Sequence, residues 1–129
     1  MTIIPSIMSL HLRYRLWIAE MNFDITVLRI FDDSLKELLI VAEDPAVIKG
    51  IENFEEQFIS LRKEIDVLKH EMHLMKMKLA AYSRETNRDN EKAYQTDNHE
   101  GLEIDYLAFR DKFDKIKTAY RQFESQLPH

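Results

Sequence analysis

The chain has 129 residues, a mass of 15.4 kDa and a formal net charge of −5, with 45% hydrophobic and 32% charged residues. With no Cys it has no disulfide framework, thiolate zinc site or thiol nucleophile, and its composition is neither collagen-like nor that of a disordered chain. Its acidic balance provides no basic field of the kind that grips nucleic acid, and a single domain over residues 1–129 is expected.

Residues 1–10 (MTIIPSIMSL) are apolar, but no Lys or Arg precedes them and no small-residue cleavage site follows, so a secretory leader is not expected. No window approaches the ~18–20 uncharged residues of a membrane span; the densest short run is Leu38–Ala42. The expectation is a soluble, cytoplasmic protein without a membrane partner.

The first helical pattern is expected over about 6–42. Ile7, Tyr14, Met21, Leu28, Leu35 and Ala42 recur every seventh residue; Leu10, Trp17, Phe31 and Leu38 hold the companion position, and Ile18, Ile25 and Leu39 widen the stripe. Asp24 is the one acid in the companion row. Because Ile25 stands beside it, a small rotation that carries Asp24 to the rim is the leading reading; a buried functional carboxylate is the alternative.

The second pattern, over about 46–85, has a continuous seam: Ile51, Phe54, Phe58, Leu61, Ile65, Leu68, Met72, Met75, Leu79 and Tyr82. A helix of this length extends about 60 Å. Asp44 is placed to cap it and Pro45 suits its first position. Acids gather in its first half and Lys69, Lys76, Lys78 and Arg84 in its second, which complements the helix dipole.

Residues 86–97 lack a seam and are expected to form the long loop or a frayed helical extension. The third helix is expected over about 98–126, with Leu102, Tyr106, Phe109, Phe113, Ile116, Tyr120, Phe123 and Leu127 as its seam and Asp97 with Glu100 at capping-box spacing.

The short connection 43–45 makes the first two helices an antiparallel hairpin, which pairs Leu35 with Phe54, Leu28 with Leu61, Met21 with Leu68 and Tyr14 with Met75. The third helix returns along it, with Leu102 near Leu79, Phe109 near Met72 and Ile116 near Ile65. The expected fold is all-α: an elongated antiparallel three-helix bundle with coiled-coil-like heptad packing.

Outside these seams the first helix carries Leu16, Phe23, Val27 and Ile30, and the second carries Ile59, Val67 and Leu74. Under the hairpin pairing these fall at shared heights on one side of the hairpin, as an apolar patch that the third helix does not easily cover together with the main seam; shielding of the row by long Arg, Lys and Met side chains is the alternative. Such a patch points to a partner, most simply a second copy in a two-fold homodimer.

Chemistry has little footing. No Glu is followed three residues later by His, the inward-facing motif of di-iron bundles. His70 and His73 lie on the polar side of the second helix and read as solvated. Neither His70 nor His99 has the Lys-Gly context of a phosphotransfer histidine. There is no Gly-rich phosphate loop and no nucleophile beside a base. No catalytic, cofactor-binding or metal residue is therefore assigned. His99 continues the third seam toward the end that holds His11 and Tyr82, so a small site there is an alternative.

Trp17-x-x-Glu20-Met21-x-Phe23, Phe54-x-x-Gln57-Phe58-Ile59, Ile65-Asp66-x-Leu68-Lys69-His70-Glu71 and His99 ahead of the aromatic third helix resemble a group of small uncharacterised bacterial helical-bundle proteins. The likeness spans about residues 17–123 and rests mostly on heptad positions. It implies a helical fold, implies nothing about catalysis, and marks Glu20 and His99 as positions to mutate. The leading reading is a non-enzymatic structural or protein–protein interaction module without cofactor, which self-associates through helix faces and whose charged flanks set register. A metal- or small-ligand-binding bundle using His11, His99, Glu20 or Asp24 is the alternative. A subunit of a larger assembly is a third.

Overall fold

The computed structural model describes residues 6–84 and 97–127, and these fold as three α-helices with no strand among them. Helix α1 is Ile7–Val41, α2 is Pro45–Arg84 and α3 is His99–Gln126. Apart from Asp97, the segment expected as a loop lies outside the described residues.

Local chemistry sets each start. Ser6 Oγ accepts from the Ser9 amide at 3.0 Å, and Asp44 Oδ1 accepts from the Ala46 amide at 2.9 Å with Pro45 as the first helical residue. Such caps stabilise a helix by about 1 kcal/mol. At α3 the cap is Asn98, whose Oδ1 accepts from the Gly101 amide at 3.0 Å, rather than Asp97. Asp97 faces the bundle instead, toward Lys78 and Tyr82, so the Asp97–Glu100 capping box does not form.

The seams close into one core. Tyr14, Met21, Leu28 and Leu35 of α1, Phe58, Leu61, Ile65, Met72 and Leu79 of α2, and Leu102, Tyr106, Phe109, Phe113 and Tyr120 of α3 are all buried. Leu39 does not join it: its side chain is exposed near the open turn of the hairpin. The hairpin register is as expected, with Phe31 against Phe58 at 5.7 Å between ring centroids. Arg62 pairs with Asp32 and donates to the Leu28 carbonyl, and Lys69 donates to Asn22.

Helix α3 sits about one turn from its expected height. Phe123 meets Phe54, Tyr120 meets Phe58, and Lys112 pairs with Glu64, so Phe109 lies beside Leu68 rather than Met72. A heptad seam offers apolar residues at alternating steps of three and four, so it matches equally well a turn away. At the observed height α3 makes polar contacts with Tyr14, Asp24, Ser34 and Glu64. Close approach at the far end depends on Gly50: a Cβ there would stand 2.7 Å from Phe123 Cε2.

Candidate functional site

Asp24 is only 2% exposed, so the rotation to the rim does not occur. What keeps it inside is a cation from the other end of the sequence. Arg110 Nη1 donates to Asp24 Oδ1 at 3.0 Å and Nη2 to Oδ2 at 2.6 Å, a bidentate pair in which both carboxylate oxygens are matched. Nη2 also donates to the Tyr106 hydroxyl at 3.1 Å. Arg110 Nε lies 2.6 Å from Glu20 Oε1, close enough for an ion pair but out of line for a hydrogen bond.

The guanidinium lies over three rings, 5.5 Å from Tyr106, 5.7 Å from Phe109 and 5.5 Å from Phe113. Trp17 stacks on Tyr106, with ring centroids 4.6 Å apart at 21°. Burial alone would lower the Arg110 pKa, but the hydrogen bonds to Asp24 and Tyr106 outweigh it and leave the group firmly charged. Burial pushes the Tyr106 phenol up to about 12 against the pull of Arg110, so it remains a neutral hydroxyl.

This is the arrangement of a closed ion cluster. Where a metal bound by Glu20 and Asp24 would place its charge, Arg110 already supplies one. Among the described residues no three His, Asp or Glu side chains converge as a ligand set. Arg110 carries little mark in the sequence. The signal was Asp24 itself, since an acid in a seam requires a cation at its height.

A second polar cluster closes one end of the bundle. The Tyr14 hydroxyl lies 2.5 Å from His99 Nδ1. Burial raises the Tyr14 phenol to about 12, so the hydroxyl keeps its proton at neutral pH and is able to donate to the imidazole. His99 Nε2 lies 4.0 Å from Asp97 Oδ2. Tyr82 donates to Asp97 Oδ2 at 3.4 Å and Lys78 lies 3.5 Å from Oδ1. His11 stands apart from this chain, in the groove between α1 and the end of α2 with Leu79, Ala80 and Ser83. His70 and His73 are exposed.

The apolar residues outside the seams divide. Leu16, Phe23, Ile30, Ile59, Val67 and Leu74 are exposed, between 44% and 63%. Val27 is not: it is half-buried and packs on the core. Leu16, Phe23 and Ile30 lie three or four residues from Glu20 or Ser34, whose side chains face α3, and so flank the α3 side of α1. Val67, with Leu74 seven residues on, flanks α3 from the opposite side, where Val67 lines a groove with Asp105, Ala108, Phe109 and Lys112.

Ile59 is three residues from Arg62, on the rim of α2 that faces α1. Helix α3 therefore stands between the two rows, and the seven residues do not form one patch. The hairpin pairing fixes height along the axis but not direction around it. Leu107, 55% exposed and three residues before Arg110, adds an apolar side chain to the face that bears Leu16 and Phe23.

No protein-family model, curated protein or solved structure matches the chain. No described helix is long and apolar enough to cross a membrane.

Proposed function

We propose that this protein is a non-enzymatic interaction module that self-associates through a helix face, most simply as a two-fold homodimer in the cytoplasm. The observation that carries the reading is the row Leu16, Phe23 and Ile30, each about three-fifths exposed at successive seven-residue steps, with Leu107 beside it. Isolated surface apolar residues are ordinary, whereas a heptad-spaced row is the form in which helices pack on helices. A two-fold axis across this face would set each row against its copy, with Arg13, Glu20 and Glu103 as a charged rim.

The metal- or ligand-binding alternative draws less support, because Glu20 and Asp24 are both turned toward Arg110. Light scattering coupled to gel filtration over a concentration series tests the proposal. It requires a mass near twice 15.4 kDa at high micromolar concentration. A constant monomer mass would remove it.

A further inference from the structure

Helix α3 has two heights available to its apolar seam. Leu102, Tyr106, Phe109, Phe113, Ile116, Tyr120 and Phe123 follow one another at steps of four and three, so a slide of one turn sets each close to the place of its neighbour. Burial of apolar surface is non-directional and discriminates weakly between the two.

The polar partners discriminate strongly. Four residues beyond His99, Arg110 and Tyr120 stand Glu103, Asp114 and Glu124. A one-turn slide would bring these three acids to the heights now held by the partners of Tyr14, Asp24 and Ser34. Asp24 would then be a buried carboxylate with Asp114 at its level and no cation. Arg110 would leave Asp24 and stand one turn away, at the height of Glu20.

We propose that the Asp24–Arg110 pair is the register lock of the bundle, and that Glu103, Asp114 and Glu124 are the elements that penalise the slipped state. Buried ion pairs often contribute little net stability against apolar side chains of similar size, yet are severely unfavourable when one partner is left alone. A single buried polar contact that selects one register of helices follows the same logic. The lock acts within one chain and does not depend on self-association.

The chain has no cysteine, so spin labels can be placed at Glu37→Cys and Asp105→Cys alone, both exposed positions. In the present register Asp105 stands level with Ala19, so the two sites are separated along the axis by about 18 residues of rise, roughly 27 Å, and a one-turn slide lengthens this to about 32 Å. The parent protein should give the shorter distance only. In Asp24→Leu/Arg110→Met, with helicity retained, a longer population should appear in comparable amount. In Arg110→Asp/Asp114→Arg, which moves the guanidinium one turn, the longer distance should dominate. The shorter distance alone in either helical variant would overturn the proposal. So would loss of helicity in both, which would make the pair a condition of folding rather than a selector of register.

Discussion

Asp24 and Arg110, 86 positions apart in the chain, meet through two parallel hydrogen bonds, and Arg110 also donates to Tyr106, whose ring stacks on Trp17. The pair joins the first helix to the third at mid-height, where Asp24 is closed off from solvent. Its thermodynamic signature should be asymmetric. Asp24→Ala or Arg110→Ala alone leaves one buried charge without a partner, and each should lower the unfolding free energy by about 3–5 kcal/mol. The apolar double variant Asp24→Leu/Arg110→Met should recover most of that loss. Urea titrations followed by circular dichroism measure all three, and additive losses in the double variant would contradict the coupling.

Alkaline pH should unfold the bundle through its tyrosines. Tyr14 and Tyr106 have folded-state pKa values of about 12, raised chiefly by burial from an ordinary value near 10. A raised phenol contributes stability that is fully present below pH ~10 and is lost as the pH climbs toward ~12. Denaturant midpoints should therefore fall over that interval, together with a late rise in tyrosinate absorbance. In Tyr14→Phe the fall should be shallower. A tyrosinate titration complete near pH 10 with the helices intact would contradict the burial.

The end cluster makes a local prediction. Tyr14→Phe removes the hydrogen bond between the Tyr14 hydroxyl and His99 Nδ1, at a cost of about 1 kcal/mol. His70→Ala and His73→Ala, on the exposed side of α2, should stay within about 0.5 kcal/mol of the parent. Thermal melts of the three variants distinguish these cases.

Core truncation sets the scale for the others. Phe58 is fully buried and its ring lies against Phe31, Phe54 and Tyr120. Phe58→Ala should cost about 3–5 kcal/mol, whereas the exposed Ile59→Ala beside it should change stability little. Equal effects at the two positions would mean that the seam has been assigned to the wrong face.

The three helices are legible in the sequence because burial, capping and breaking residues agree along each segment, as at Asp44-Pro45. The hairpin register is legible for a geometric reason: a short turn leaves only one alignment of Leu28 with Leu61. Nothing comparable ties α3, whose connection is long, and the seam alone accepts a height one turn away. The observed height is the one at which Asp24, Tyr14 and Ser34 meet their partners on α3, contacts between residues some 85 or 86 positions apart. Asp24 was misplaced for a related reason, since an acid in a seam stays inside only when a distant residue supplies its cation. Val27 shows the remaining gap, because its burial depends on which side α3 occupies, and periodicity along α1 does not contain that direction.

Self-association through the Leu16–Phe23–Ile30 face is the claim on which the functional reading rests. Sedimentation equilibrium of the parent protein beside Phe23→Glu, at matched high micromolar concentration, tests it most directly. The parent should sediment as a dimer and the variant as a monomer of unchanged helicity. A parent that sediments as a monomer, or a Phe23→Glu protein that remains dimeric, would contradict it.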